Sequence, residues 1–208
     1  MSERDSKGKL QDRQVRKRES ILRAAVKAFE GEGYEGASMD RIAVIAGASK
    51  RTVYNYFDSK ESLLRAVIED LVEGQNQLKQ IPYDPEQTLE SQLAKFVDAE
   101  LYMINDSSRL SLVRILTSVF VRNPGLCEES SKESPSQHAN LASWLEAAAA
   151  DERVSVNDPE LAAQLFYGMI QGIFNFPALF FSPQPQSEHQ PIMDEAIAVF
   201  LSRYRRAT

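Results

Sequence analysis

The sequence predicts an all-α fold, and three observations carry that expectation. Apolar residues recur at three- and four-residue spacing along most of the 208 positions, and no stretch alternates as a strand does. Helix-start residues (Ser or Asp) precede the periodic stretches and helix-stop residues (Gly or Pro) follow them. Between residues 38 and 57 two stretches are short and close together, divided by Gly47, which is the size of a helix-turn-helix. The expected architecture is a three-helix helix-turn-helix head joined to an all-helical body.

Residues 1–15, polar and rich in both charges, read as a flexible basic arm. A first helix is expected over about 16–32, with Ile21, Leu22, Ala25, Val26 and Phe29 at helical spacing. Gly31 and Gly33 stop it, because glycine readily takes the left-handed conformation at a helix end. Ser38 caps the next helix, with Asp40 against the positive end of its dipole. Gly47 ends that helix, and Ser49 caps another over Lys50 to Phe57. Asp58 and Ser59 then precede a long helix whose apolar side is Leu63, Leu64, Val67, Ile68 and Leu71. The tract Pro82-Tyr83-Asp84-Pro85 breaks the chain.

Beyond the break, Leu89, Leu93, Phe96, Leu101 and Ile104 mark one helix, and Leu112, Val113, Leu116, Val119 and Phe120 another at about 108–122. Residues 126–135 read as a polar loop, and Leu141, Trp144 and Leu145 open the next helix. Asp158-Pro159 is an N-cap followed by proline at the first helical position. The helix it starts is apolar nearly all round, so burial on several sides is expected. A loop with Pro183, Pro185 and Pro191 separates it from a last helix carrying Met193, Ile197, Phe200, Leu201 and Tyr204.

With 43% hydrophobic and 26% charged residues, most of the chain should fold. No apolar run approaches the roughly 18 residues that span a bilayer, and the N-terminus lacks the apolar core of a secretory signal. A soluble cytoplasmic protein is expected, and the single Cys127 cannot form an intrachain disulfide. The net charge of -6 hides a division: residues 1–65 hold 14 Lys+Arg against 10 Asp+Glu, and the remainder 10 against 20. The basic excess coincides with the helix-turn-helix, and phosphate responds to local charge.

Within that motif Ile42 and Ala46 can meet Val53 and Phe57, leaving Lys50, Arg51, Thr52, Tyr54, Asn55 and Tyr56 on the outer side. These supply donors and aromatic hydroxyls suited to phosphates and base edges. Tyr54 has a second reading, packing against the head's own core.

The segments Ile21-Leu22-Arg23-Ala24-Ala25, Phe29, Gly33-Tyr34 and Ser38-Met39-Asp40-Arg41-Ile42-Ala43 resemble the amino-terminal domain of the TetR family. So do Ala46 through Phe57 and Ser59-Lys60-Glu61-Ser62-Leu63-Leu64, so the resemblance covers about residues 16–75. It implies a homodimeric regulator, usually a repressor, released from a palindromic double-stranded DNA operator by a small-molecule effector. It implies that Ser38 approaches phosphate, that Ser49 caps the recognition helix, and that Lys50 and Arg51 sit nearest the groove. Thr52 and Asn55 are the candidates for base edges, Tyr54 and Tyr56 for backbone or thymine methyls, and Lys60 for phosphate. Gly47 is read as structural, and Arg13, Arg16, Lys17 and Arg18 as either further DNA contacts or a solvated helix start.

The expected division is an arm at 1–15, the DNA-binding domain at 16–62, a connecting helix at 63–80 and a ligand-binding and dimerisation domain at 81–208. Asn157-Asp158-Pro159-Glu160-Leu161-Ala162-Ala163, Gly168, Gly172 and Ala196 to Tyr204 resemble the carboxy-terminal domain of AefR-like members. The resemblance implies that the last two long helices pair between subunits. Gly168 and Gly172 then permit close approach (or relieve crowding inside one subunit), with Ile197, Leu201 and Tyr204 completing the interface. Phe96, Met103, Phe120, Trp144, Phe166, Met169 and Phe174 are candidates for lining an effector cavity or for plain core. No cofactor is expected, and His138, His189 and Cys127 show no metal-ligand spacing. No nucleophile elbow, phosphate-binding glycine loop or metal motif points to an enzyme.

Overall fold

The computed structural model describes residues 3–78, 80–102, 104–125, 138–182 and 185–206, with the side chains of 3–11, 75–77 and 186 outside the described set. The helices are α1 (Glu3–Gly36), α2 (Met39–Ile45), α3 (Lys50–Tyr56), α4 (Lys60–Leu78), α5 (Leu89–Leu101), α6 (Ser107–Arg122), α7 (Ala139–Ala150) and α8 (Pro159–Ile170). A π-helical turn (Gln171–Asn175) then leads into α9 (Phe176–Phe180), and α10 (Gln186–Tyr204) follows. Among the described residues the extended pairing is one isolated bridge, Val154 with Arg205. The neighbouring Ser155 N–H donates to the Tyr204 carbonyl at 2.7 Å, tying the end of α10 to the turn after α7.

The chain forms two compact units, Met1–Leu71 with Ile115–Ser130, and Val72–Arg114 with Ser131–Thr208. In the first unit, α1 packs on α2 and α2 on α3. Ile21, Leu22, Ala25 and Phe29 of α1, Ile42 of α2, Val53 of α3 and Leu63, Leu64 and Val67 of α4 are buried, as their helical spacing requires. In the second unit the packed pairs are α7 with α8, α5 with α10, α8 with α10 and α5 with α8. Asp158 caps α8 by accepting from the Leu161 N–H at 2.9 Å, with Pro159 in the first turn.

Three expectations change here. The backbone is helical from Glu3, thirteen positions ahead of the expected start at 16; most of residues 3–15 are Glu, Arg, Lys, Leu or Gln, which favour helix, and the one glycine, Gly8, costs only about 1 kcal/mol. Gly31 stays helical, and Gly33 alone breaks α1, at φ 68 and ψ 166, a region essentially closed to other residues. The last helix opens at Gln186, so Pro191 lies inside it and His189 is a buried helical residue with its ring edge against Phe174. Pro191 removes one backbone donor near the helix start, while Met193, Ile197, Phe200 and Leu201 bury the rest.

The second unit also buries a polar hub that periodicity did not reveal. Gln92 is fully buried on α5; its carbonyl oxygen accepts from the Trp144 indole N–H at 3.0 Å and the Asp84 N–H at 2.8 Å. Its amide donates to the Asp84 carbonyl at 2.8 Å. In the same unit, the Arg114 guanidinium donates to the carbonyls of Ala178 at 2.7 Å and Phe181 at 2.8 Å, closing the end of α9.

Candidate nucleic-acid interface

The recognition edge rests on short-range capping. The Ser38 hydroxyl oxygen accepts from the Arg41 N–H at 3.2 Å and opens α2. Gly47, at φ +54, makes the left-handed turn that lets α3 start three residues later. The Ser49 hydroxyl oxygen accepts from the Thr52 N–H at 3.1 Å and bonds the Thr52 hydroxyl at 2.8 Å. Val53 is buried, so the rest of this one-sided helix faces outward. Lys50, Arg51, Tyr54 and Asn55 are exposed, with Thr52 and Tyr56 half-buried beside them. Tyr54 therefore projects to solvent, at 41% exposure, and does not fill the head core.

Charge on this edge is partly engaged. The Lys50 ammonium pairs with the Asp40 carboxylate at 2.8 Å and lies 5.9 Å from the Tyr54 ring centre. The hydrogen bond to Asp40, and then its charge, raise the Lys50 pKa above the ordinary lysine value. Arg41 pairs with Glu32 at 2.7 Å, and Lys17 reaches the carbonyls of Ala46 and Gly47 at 3.4 and 3.5 Å. Sequence spacing did not place Lys17 at this turn, because it meets the turn from 29 residues away.

Lys60, the candidate for phosphate, is engaged inside the head. Its ammonium donates to the carbonyls of Tyr34 at 2.6 Å, Ala37 at 3.1 Å and Glu35 at 3.2 Å, and sits 4.5 Å from the Tyr34 ring centre. A lysine has three N–H donors, and all three go to carbonyls left over where the chain turns after Gly33. Phosphate contact would require it to leave them. Lys60→Ala should therefore destabilise the head by about 2 kcal/mol, the scale of hydrogen bonds to a charged group. Thermal unfolding checks this, and the salt slope of DNA binding at low temperature should stay unchanged.

The candidate effector residues divide between the units. Phe96, Trp144, Phe166 and Phe174 are buried in the core of the second unit, with Met169 partly buried against it. Trp144 lies edge-on to Phe96 at 6.1 Å and Phe166 edge-on to Phe200 at 5.0 Å. Phe120 belongs to the first unit, and Met103 and Cys127 lie outside the described residues. In the same second unit the buried Glu100 carboxylate accepts from Gln171 at 2.8 Å and Asn175 at 3.2 Å. The Asn175 side-chain Oδ1 is buried without a hydrogen-bond partner among the described residues. Burial, and then the charge of Glu100, push the Tyr167 hydroxyl pKa well above the ordinary tyrosine value. One signal for Glu100 was available: it falls on the apolar side of α5, at helical spacing from Leu93, Phe96 and Val97.

The candidate interface residues divide as well. Ile197 and Leu201 are buried within the protomer, because α10 turns this side toward α5 and α8, and so cannot meet a partner; Tyr204 is half-buried. Gly168 and Gly172 are exposed, with nothing within 4 Å of an added Cβ. The helix α8, expected to be buried on several sides, buries Ala162, Ala163, Phe166, Tyr167 and Ile170, while Leu161 and Leu165 are 50% and 52% exposed. Their side of the helix is the half-exposed one.

Among the described residues, no group of three His, Cys, Asp or Glu side chains is placed to hold a metal ion, and no helix is long and apolar enough to cross a membrane. Residues 21–67 match the family model described as bacterial regulatory proteins, tetR family, and residues 91–206 that of the AefR-like transcriptional repressor, C-terminal domain. The chain is 40% identical over 83 residues to the HTH-type transcriptional repressor NicS of Pseudomonas putida, covering 38% of this chain and 39% of that protein. It is 35% identical over 101 residues to the HTH-type transcriptional activator FasR of Mycolicibacterium smegmatis, covering 47% and 45%. The matched stretch is thus under half the length of either regulator. A TetR-family regulator structure from Mesorhizobium loti superposes with a TM-score of 0.81 at 28% identity, covering 93% of this chain and 99% of that one.

Proposed function

Because the chain belongs to the TetR family of transcription regulators and carries an AefR-like carboxy-terminal domain, we propose that it binds a palindromic operator as a homodimer and leaves it when a small molecule occupies the body. The observation that carries this reading is the edge of α3, where Lys50, Arg51, Tyr54 and Asn55 stand exposed beside Thr52 and Tyr56 on a helix capped by Ser49. Such a helix fits the major groove, with its first turn foremost. Lys50 and Arg51 serve phosphate or guanine, Thr52 and Asn55 serve base edges, and Ser38, Tyr54 and Tyr56 serve the backbone.

Dimerisation is assigned to the open side of α8 and the π turn, where Leu161, Leu165, Gly168 and Gly172 form an apolar strip that lets a second helix come close. The effector is assigned to the body core, where Glu100, Gln171, Asn175 and Tyr167 place polar groups in a unit whose core holds Phe96, Phe166 and Phe174. A ligand with an aromatic or aliphatic body and a hydrogen-bonding group matches such a lining. Repression is the sign adopted, in keeping with the description of the carboxy-terminal family.

Recovery of bound genomic fragments followed by footprinting tests the reading. A protected palindrome overlapping a promoter supports it, and the absence of any protected sequence overturns it. On the recovered duplex, Asn55→Ala should lose about 1–3 kcal/mol of discrimination at one base pair per half-site. Competition with single-base variants checks this, and affinity for arbitrary duplex should not change.

A further inference from the structure

The first helix carries a basic face that the helix-turn-helix does not account for. Arg13, Arg16 and Lys17 stand three and four residues apart, so they share one side of α1. With Gln14 and Tyr56 they line an open cleft of about 610 Å³, and among the described residues no carboxylate lines it. Tyr56 ends the recognition helix, so this cleft continues directly from the reading edge.

The three cations have different roles. Lys17 is engaged by the carbonyls of Ala46 and Gly47, which pins α1 to the turn between α2 and α3. The next residue, Arg18, faces away from the cleft lining, over the Phe57 ring and toward Glu69. Arg13 and Arg16 are exposed and form no ion pair or hydrogen bond with another described residue. Two available guanidinium groups are thus held at a fixed place beside the recognition helix by a neighbour that is already anchored.

We propose that Arg13 and Arg16 grip the DNA phosphate backbone next to Tyr56, making α1 a second element of the nucleic-acid interface. A guanidinium matches phosphate geometry through paired N–H donors, and a cleft with no acid lining it favours a polyanion. This inference rests on the DNA-binding reading above and adds residues to it. It concerns the strength of binding to any duplex and leaves sequence preference alone, since phosphates carry no base information.

The test measures fluorescence anisotropy of a 40-base-pair duplex of arbitrary sequence, over a salt series, with the full-length protein. The double variant Arg13→Ala, Arg16→Ala should show a log–log salt slope shallower by about 0.9 for each phosphate it no longer neutralises, and affinity near 0.1 M salt lower by at least about tenfold. The double variant Arg13→Lys, Arg16→Lys should recover most of the slope. Arg23→Gln, which removes an exposed charge paired with Glu19 on the same helix, should keep the slope of the parent. Equal slopes for the parent and the alanine variant overturn the proposal, as does an equal loss in Arg23→Gln, which marks a general charge effect. Displacement of DNA from the parent, but not from the alanine variant, by inorganic phosphate at constant ionic strength identifies a free-phosphate site and also overturns it. If the parent itself shows no salt-dependent binding to any duplex, it is the DNA-binding reading that fails. Circular dichroism of each variant confirms that the fold is intact.

Discussion

Replacing Leu165 with arginine is expected to leave the chain folded but monomeric, and to lower affinity for a palindromic duplex by roughly 10²–10⁴-fold. Leu165 is half exposed on α8, one turn from Leu161 and beside Gly168. An arginine there costs the protomer little, because about half of the side chain it replaces is already in solvent. Against a second copy it places an unpaired charge in the middle of an apolar contact, where isolated charge is most costly. Losing the partner removes the tethering that makes the second half-site an intramolecular encounter. Affinity for one isolated half-site should stay unchanged, which separates loss of pairing from loss of the head. Sedimentation velocity reads the oligomeric state, and anisotropy on half-site and full-site duplexes reads the rest. A variant that still sediments as a dimer places the interface elsewhere.

The second large effect is expected at Gln92. Gln92→Leu conserves volume but removes the acceptor for the Trp144 and Asp84 N–H groups and the donor for the Asp84 carbonyl. The buried Trp144 N–H left without a partner costs about 1–3 kcal/mol, and the two Asp84 backbone groups, at a half-buried residue, each add less, so a total loss of roughly 2–5 kcal/mol is expected. Trp144→Phe should cost less, since it deletes the donor together with its need. The pair Gln92→Leu, Trp144→Phe should cost less than the two changes added, because the second removes a group the first had stranded. Denaturant titration of all four proteins checks the cycle. Strict additivity would show that the Trp144–Gln92 bond contributes nothing to the body.

What the sequence disclosed and what it withheld follow one physical line. Caps and turns are decided within four residues, so Ser38, Ser49, Gly47 and Asp158 could be read directly, and each does what its residue type suggests. Helical faces are decided by spacing, so the buried sides of α1, α5 and α10 were legible too. Contacts between distant segments leave no local trace. Lys60 matches the family pattern for a phosphate contact, yet its three donors close onto carbonyls 23 to 26 residues upstream. Ile197 and Leu201 carried the right chemistry for an interface, but only packing reveals that their side of α10 is already occupied. The start of α1 was missed for another reason: polarity marks solvent exposure, which a solvated helix shares with a loop.

The π turn at Gln171–Asn175 has a meaning for descent as well as for shape. Its closing bond runs from the Phe176 N–H to the Gln171 carbonyl, one residue further than an α-helix allows. Such a turn is how a helix absorbs a single inserted residue without unravelling on either side. Deleting one of the five restores ordinary winding and leaves the helix on either side near its original bearing, because the wider turn had taken up the extra residue. Phe176 and Phe180 then keep nearly the same bearing, and the carbonyls gripped by Arg114 stay within its reach. A relative one residue shorter at this point would therefore differ by a gap and not by a substitution. Column-by-column alignment across residues 171–175 compares side chains that do not occupy equivalent places, and Asn175, which holds Glu100, is the position most exposed to that mismatch.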